Sequence, residues 1–234
     1  MKYKGVIFDF NGTLFYDTPF HNIAWQRVTK EITGKDLNEE LRVRMHGKNN
    51  KEILYCIQPD MKETDSIYYS KYKEKVYRDI CLENPDKLHL MSGAVKCFDY
   101  LKDNGIPFTI ASASIKDNID FFIKTFELDK WFDINKIIYD DGSHINKISM
   151  FNDAAKILHV NIEECIIFED SKTGIEFAKE VGAGLVVGIG EDFDKLSNYG
   201  ADHCITNFTE FDYSKYLWCY GFGSDWESFP FFCK

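Results

Sequence analysis

The hydrophobic positions along the chain fall into two kinds of segment. Short apolar runs that end in polar or small residues predict buried strands at residues 5–10, 108–113, 165–169 and 185–189. Stretches with helical spacing lie between or after these runs, at residues 95–104, 116–126, 148–158 and 174–181. Strands and helices that alternate in this way are typical of a parallel sheet, so the pattern predicts a doubly wound α/β core.

The interval 16–87 breaks this alternation. It is rich in Lys, Glu, Asn and Tyr, has helical spacing and contains no convincing strand, so it predicts an inserted helical cap. Pro19 and Pro85 mark turns near the two joints, which would allow hinge closure over a site. We therefore expect a core domain at 1–15 and 88–211 and a cap at 16–87, and we assign no role to the aromatic extension 212–234.

The composition narrows the kinds of partner. At 234 residues the chain suits one large domain or a domain that carries a smaller insertion, and its formal net charge of -10 disfavours a general nucleic-acid surface. No apolar stretch reaches membrane length, and no signal-peptide pattern is present. Seven cysteines without paired metal spacing fit reduced thiols. We expect a cytoplasmic protein without nucleic-acid or membrane partners, either a monomer or a homodimer.

Candidate chemistry begins at the end of the first predicted strand. Asp9 follows the apolar run and enters a turn through Asn11, Gly12 and Thr13. Ligands of open α/β folds bind at the carboxyl ends of the strands, so Asp9 is a candidate nucleophile, metal ligand or both. Taken alone, it is explained as well by a turn or helix-capping role.

Polar residues also follow the next predicted strands. Ser112 and Ala113 offer a hydroxyl and amides that can hold a phosphate oxygen, and the ammonium of Lys147 can neutralise a phosphoryl group. Glu169 and Asp170 are adjacent carboxylates that repel each other unless a cation compensates, and Mg²⁺ suits such oxygen ligands. Individually, these features also fit a helix cap, a solvated lysine and an acidic turn.

The order Asp, Ser, Lys, Glu-Asp on successive strand ends resembles the haloacid dehalogenase-like hydrolase superfamily, and most closely its β-phosphoglucomutase-like branch. The resemblance covers residues 4–210 and rests on the motifs at 9–14 (DFNGTL), 111–114 (ASAS) and 168–171 (FEDS). The cap resembles that of the same branch at residues 17–25 and 46–48. This resemblance to the superfamily implies a Rossmann-like core, a helical cap and, as in most members, Mg²⁺-dependent phosphatase activity on a small phosphorylated metabolite.

Carried over residue by residue, the resemblance implies covalent catalysis. Asp9 would attack phosphorus to give an aspartyl phosphate. Mg²⁺ would be held by Asp9, the backbone oxygen of Asn11 and the side chain of Asp170, with Glu169 in or next to that set. These four residues form the implied catalytic and metal site.

The resemblance also implies a set of phosphate and substrate contacts. The non-reacting phosphate oxygens would be held by Ser112, Ala113 and Lys147. Lys147 matches the family less closely, because Ile148 and the residues after it lack the usual proline-containing stretch. On the cap side, the residues implied to lie near the substrate are His21, His46 and Lys48. For His21, a packed hinge histidine is the simpler interpretation.

Asn11 departs from the pattern of most phosphatases of this family, which carry a second aspartate there. That aspartate protonates the leaving oxygen and later deprotonates the attacking water, whereas an amide cannot exchange a proton. General acid–base catalysis contributes on the order of 10²–10⁴ in rate, so we expect slow hydrolysis of sugar-phosphate esters and still slower mutase chemistry. Acyl or aryl phosphates need less protonation.

Four alternatives stay open at this point. One is a β-phosphoglucomutase-like phosphosugar mutase. A second is a catalytically idle protein that binds Mg²⁺ and a phosphorylated ligand. A third is a phosphonatase-like enzyme that forms a Schiff base through a cap lysine, for which Lys48 and Lys51 are the candidates. In the fourth, Asn11 is a deliberate replacement of an aspartate.

Overall fold

A computed structural model describes residues 2–45 and 48–217 of the chain. The chain divides into two compact units. Among the described residues, one unit is formed by 2–15 and 90–217, and the other by 16–45 and 48–89. Among the described residues, no helix is both long enough and apolar enough to span a bilayer.

The first unit is built on a parallel sheet. Its described strands are, in chain order, β1 (Gly5–Phe8), β2 (Phe108–Ile115), β3 (Ile138–Asp140), β4 (Cys165–Glu169), β5 (Leu185–Ile189) and β6 (His203–Ile205). They pair in the order β3-β2-β1-β4-β5-β6, with every pair parallel. The chain winds outward from β1 in one direction and from β4 in the other, which confirms the predicted doubly wound fold.

Ten α-helices lie in the described part of the chain. In chain order they are α1 (Thr18–Thr33), α2 (Glu39–Met45), α3 (Asn50–Ile57), α4 (Glu63–Glu83), α5 (Ala94–Asp103), α6 (Lys116–Phe126), α7 (Lys147–Ile157), α8 (Lys172–Glu180), α9 (Phe193–Tyr199) and α10 (Tyr213–Tyr216). Helix α7 begins one residue before the predicted start and α8 two residues before it, because the side chains of Asn146 and Ser171 cap their first turns.

Neighbouring residues of β1 face opposite sides of the sheet. Ile7 belongs to an apolar cluster with Phe151 of α7 and Ile175 of α8. On the other side, the ring centroid of Phe8 lies 5.2 Å from that of Phe168 and 5.6 Å from that of Phe98 in α5. Both faces are therefore covered, which explains the uninterrupted apolar run of β1. Continued alternation places the next side chain after Phe8 on the side where α7 begins.

The second unit is helical. Helices α1 and α4 pack together, and each buries one apolar stripe, which includes Phe20 and Val28 in α1 and Val76, Tyr77 and Ile80 in α4. No strand occurs within residues 16–45 or 48–89. The predicted helical character of this interval therefore follows from amphipathic helices that bury one face each.

The aromatic extension is described only as far as Leu217. Residues 218–234 lie outside the described part, so the role of that segment stays unassigned. Within the described part, the ring of Tyr216 in α10 stacks on Phe211 with a centroid distance of 5.0 Å, and Leu217 forms a bridge with Tyr3. The start of the extension thus packs on the first unit.

Candidate active site

Asp9 lies at the carboxyl end of the central strand β1, in a tight turn. Its backbone N–H donates to the carbonyl of Phe168 in β4 over 3.0 Å, which ties the turn to the neighbouring strand. The carbonyl of Phe10 accepts hydrogen bonds from the N–H groups of residues 13–15. The Asp9 side chain is buried within this closed turn. The sheet topology therefore holds its carboxylate at the switch point between β1 and β4, where open α/β sheets bind ligands.

Glu169 and Asp170 follow β4 side by side but occupy different environments. Glu169 is fully buried, and its Oε2 accepts from the N–H of Asp170 (3.1 Å), the N–H of Ser171 (3.2 Å) and the Ser171 hydroxyl (3.0 Å). Asp170 is half-buried, and its Oδ1 accepts from the Thr13 hydroxyl over 3.4 Å. The start of α8 therefore fixes Glu169, whereas Asp170 lies against the turn after β1.

Lys147 connects the two strand ends. It is the first residue of α7, and its Nζ lies 2.7 Å from Oδ1 of Asp9 and also contacts Oε1 of Glu169. Only 14% of its side chain is exposed. The structure therefore places Lys147 in the same cluster as both carboxylates. Its match to the family motif is weaker than that of the other site residues.

Burial and neighbouring charges shift the pKa values of Asp9 and Lys147 in this cluster. Burial raises the pKa of the Asp9 carboxyl to about 7, against the opposing effect of the Lys147 ammonium and with a further rise from Glu169. Burial lowers the pKa of Lys147, but the charges of Asp9 and Glu169 and its hydrogen bonds to them outweigh this, so its pKa lies above the ordinary value. Lys147 is therefore held as an ammonium, and a further cation next to Asp9 would lower the pKa of that carboxyl.

Three carboxylates of this cluster suit a metal ion. Asp9, Glu169 and Asp170 each offer one oxygen, and these oxygens all lie within 4.8 Å of one another. Two glycines make room for them: a Cβ on Gly12 would collide with the Asp170 carboxylate, and a Cβ on Gly174 would collide with that of Glu169. The turn after β1 and the first turn of α8 can therefore approach the acidic residues only because both positions lack a side chain.

We predict that Gly12→Ala weakens metal binding more than its effect on the backbone explains. Gly12 has a φ of +82°, where an L-residue costs about 1–2 kcal/mol, and its new methyl group would also displace the Asp170 carboxylate. Gly182→Ala is the matched control, because Gly182 has the same φ of +82° but open space around it. Thermal unfolding and Mg²⁺ titration calorimetry separate the two effects, and equal Mg²⁺ affinities in the two variants would contradict the prediction.

Asn11 faces two serines of β2. Its Oδ1 accepts from the hydroxyl of Ser114 over 2.6 Å and from that of Ser112 over 3.4 Å, while the N–H of Ser114 donates to the Ser112 hydroxyl over 3.2 Å. Ser112 is buried and Ala113 is exposed. The structure therefore places Ser112 beside the turn that carries Asp9, and it adds Ser114 as a direct contact of Asn11.

His21 lies in the second unit with partners on both ring nitrogens. Its Nε2 lies 3.1 Å from Oδ2 of Asp17, and its Nδ1 lies 2.7 Å from Nζ of Lys73. Its ring stacks on Tyr77 with a centroid distance of 4.0 Å, and the Tyr77 hydroxyl donates to Asp17 over 2.6 Å. Because the Lys73 ammonium donates to Nδ1, the proton of a neutral His21 resides on Nε2.

Lys73 is the centre of a buried polar network in this unit. Its side chain is 3% exposed, and its Nζ donates to Oε1 of Glu74 over 2.9 Å and lies 5.4 Å from the ring centre of Trp25. The Asn50 amide donates to the same Glu74 oxygen over 2.6 Å. The network links α4 to α1 through the His21 nitrogen and the Trp25 ring, and to α3 through the Asn50 amide, while the Lys73–Glu74 ion pair lies within α4 itself.

The remaining cap candidates are placed as follows. Lys48 lines a cavity of about 610 Å³ in the second unit, together with Trp25 and Arg42. Lys51 pairs with Glu63 over 2.8 Å on the surface. His46 lies outside the described residues.

The sequence matches the family model described as haloacid dehalogenase-like hydrolase over residues 3–182, which is more than half of the chain. The chain belongs to the haloacid dehalogenase-like hydrolases. A crystal structure of a family IA, variant 3 hydrolase of this superfamily from Entamoeba histolytica is 35% identical to this hydrolase, with a TM-score of 0.85. The match covers 92% of this chain and 97% of that one.

Two curated relatives carry functional names. The phosphorylated carbohydrates phosphatase of Thermotoga maritima is 26% identical over 193 residues, which are 80% of this hydrolase and 85% of the relative. The β-phosphoglucomutase of Bacillus subtilis is 26% identical over 208 residues, which are 85% of this hydrolase and 87% of the relative. These similarities confirm the predicted superfamily and its β-phosphoglucomutase-like branch.

Two residues that shape this hydrolase, Ser114 and Lys73, make contacts that their positions in the sequence do not reveal. Ser114 lies in the ASAS motif, but its contact with Asn11 was not predicted, because that contact joins residues 103 positions apart. Lys73 lies in a helix rich in lysine and glutamate, where a charged residue is normally solvated. Its spacing of four from Tyr77 was the available signal, since Tyr77 belongs to the buried face of α4.

Proposed function

We propose that this hydrolase is a Mg²⁺-dependent phosphatase of small phosphorylated metabolites with Asp9 as its nucleophile. The observation that carries the proposal is the buried Asp9 carboxylate held 2.7 Å from the Lys147 ammonium. Asp9 attacks phosphorus, the bond to the leaving oxygen breaks, and an aspartyl phosphate forms. Water then attacks the phosphorus of this intermediate, which releases the Asp9 carboxylate and inorganic phosphate.

The donor set favours Mg²⁺ as the metal. Its proposed ligands are the carboxylates of Asp9 and Asp170 and the backbone oxygen of Asn11, because hard oxygen donors are what this ion prefers. When bound, the ion supplies positive charge that polarises the phosphoryl group and lowers the pKa of Asp9. Glu169 already accepts from Lys147 and from three donors near Ser171, so we assign it a supporting position behind the metal ligands.

Lys147 and Ser112 are the proposed contacts for the non-reacting phosphoryl oxygens. The ammonium of Lys147 offsets the negative charge that the phosphoryl group brings next to Asp9. Ser112 is the last buried residue of β2, next to β1, and its hydroxyl can rotate from Asn11 to a phosphoryl oxygen. Ala113 comes directly after it, and we propose its backbone N–H as a further contact for the same group.

The names of the relatives guide the choice of substrates. Phosphorylated carbohydrates are named for the Thermotoga relative, and a phosphoglucose is implied by the name of the Bacillus relative. We therefore include sugar phosphates in the panel of substrates to be tested. Acetyl phosphate and 4-nitrophenyl phosphate belong in the same panel because their leaving groups need little protonation.

Metal removal tests the proposed function. We expect phosphate release from members of this panel with Mg²⁺, and a fall of at least about 10²-fold after EDTA treatment, because the metal carries much of the charge stabilisation. Asp170→Asn should raise the Mg²⁺ concentration for half-maximal activity at least about tenfold. Both quantities follow from phosphate release measured against the Mg²⁺ concentration.

An exposed carboxylate far along the chain from Asp170 provides the control for this test. Asp103→Asn removes an exposed carboxylate at the end of α5 and should leave the Mg²⁺ dependence unchanged. If nothing in the panel is hydrolysed while a phosphorylated ligand binds in a Mg²⁺-dependent way, the protein is a binding protein and the phosphatase proposal fails.

A further inference from the structure

Asn11 combines two features that bear on the choice of substrate. It lies two residues after Asp9 in the same turn, and its amide is oriented by the hydroxyls of Ser112 and Ser114, which both donate to Oδ1. The amide is planar, so Nδ2 is directed away from these serines. Asn11 can therefore donate a hydrogen bond to a leaving oxygen but cannot give it a proton.

The other titratable groups near Asp9 are not placed to act as the general acid that Asn11 cannot be. Glu169 is fully buried with four donors around its carboxylate, and the ammonium of Lys147 is held between the carboxylates of Asp9 and Glu169. Asp9 and Asp170 are the proposed nucleophile and metal ligand. In the second unit, both nitrogens of His21 are engaged, by Asp17 and Lys73. Among these described groups, none is arranged as a general acid.

We propose that the natural substrates of this hydrolase are acyl phosphates, the mixed anhydrides of a carboxylic acid and phosphoric acid, and that Ser114 is the residue that positions Asn11 for them. The inference rests on the proposed function, because it requires Asp9 to act as the nucleophile. A carboxylate leaves as a stable anion, whereas a sugar alkoxide needs a proton as it leaves.

The two steps balance without a general acid. In the first, the Asp9 carboxylate forms a bond to phosphorus while the bond from phosphorus to the substrate carboxylate breaks, and the carboxylate leaves with the electron pair. One acyl phosphate is replaced by another, so no proton moves. In the second, water adds to phosphorus, the bond to Asp9 breaks, and the proton of the water passes to the phosphate product and on to solvent.

The test compares the response of two substrates to one substitution. Acetyl phosphate is the acyl phosphate probe and glycerol 3-phosphate is the alkyl ester probe, both with saturating Mg²⁺. Asn11→Asp supplies an acid, and its carboxylate can accept from the same two serine hydroxyls. We expect kcat/KM for the alkyl ester to rise by about 10²- to 10⁴-fold, and that for acetyl phosphate to change by less than about tenfold.

The role of Ser114 has its own readout. Ser114→Ala removes the shorter hydrogen bond to Oδ1, and we expect it to lower kcat for acetyl phosphate by about tenfold, with Ser114→Thr restoring it because the hydroxyl is kept. A structural role alone would instead alter thermal stability and leave the rates of folded protein equal. Unchanged kcat in Ser114→Ala overturns the positioning role.

The outcomes distinguish this inference from the proposed function. If both probes respond equally to Asn11→Asp, or if the natural chain hydrolyses the alkyl ester as well as acetyl phosphate, the substrate inference is wrong while the phosphatase proposal stands. If neither probe is hydrolysed by the natural chain or by Asn11→Asp, the phosphatase proposal itself fails.

Discussion

Asp9→Asn is expected to abolish phosphate release from every substrate of this hydrolase, with kcat lowered by on the order of 10⁴-fold or more. The reason is that covalent catalysis loses its reaction path when the nucleophile is removed, and the remaining groups only bind and polarise. Asparagine has nearly the same shape as aspartate, and Lys147 keeps its contact with Glu169, so the fold should persist. Phosphate release and intact-protein mass spectrometry, which detects the phosphoryl adduct, measure the effect.

A matched control is available at another strand end. Asp140 is the last residue of β3 and is exposed, so Asp140→Asn also removes a carboxylate at the carboxyl edge of the same sheet. We expect its kcat to stay within about twofold of the natural chain, since exposed substitutions away from the site have small effects. If Asp9→Asn keeps more than a tenth of the activity, Asp9 is not the nucleophile, whatever Asp140→Asn does.

The central strands could be predicted from the sequence because their physical cause is local. β1, β4 and β5 are buried along their whole length, so each forms an apolar run that ends at a polar or small residue. β3 and β6 have three residues each and are partly exposed, so they lack such a run. Their pairing depends on neighbours that the topology supplies, and for this reason they escaped prediction.

The candidate site was predictable in part for the same reason. Parallel strands bring their carboxyl ends to one edge, so Asp9, Ser112 and Glu169 could be placed together from their positions after apolar runs. That Glu169 is fully enclosed while Asp170 is half-buried could not be predicted from two adjacent acidic residues. That difference depends on Gly174, which lets the first turn of α8 reach Glu169.

Contacts between distant residues account for the rest. The orientation of the Asn11 amide is set by hydroxyls more than 100 positions away, so residue type alone shows only that the proton is absent. Likewise, the place of Lys147 in the site becomes clear only from the structure, in which its ammonium contacts both Asp9 and Glu169. The residue type determines which chemistry a side chain can perform. The fold determines which other groups lie close enough to take part in that chemistry.

Lys147→Met is expected to cause the largest loss of stability among the changes considered. The ammonium is buried between Asp9 and Glu169, and its removal leaves two buried carboxylates without their common partner. Breaking a buried ion pair in this way costs about 3–5 kcal/mol of unfolding free energy. Urea unfolding in EDTA measures the loss. Added Mg²⁺ should recover part of it, because a cation that binds only the folded site stabilises that state.

An exposed ion pair, Lys179–Asp202, serves as the control for the buried pairs of Lys147. Lys179 donates to Asp202 over 2.6 Å, but 41% of its side chain is exposed, so Lys179→Met should cost at most about 1 kcal/mol and show no recovery with Mg²⁺. Combining Lys147→Met with Asp9→Asn should cost less than the sum of the single changes, because the second substitution removes one of the stranded carboxylates. Additive losses would show that Lys147 stabilises the fold independently of Asp9, and the charge coupling on which the site rests would then be absent.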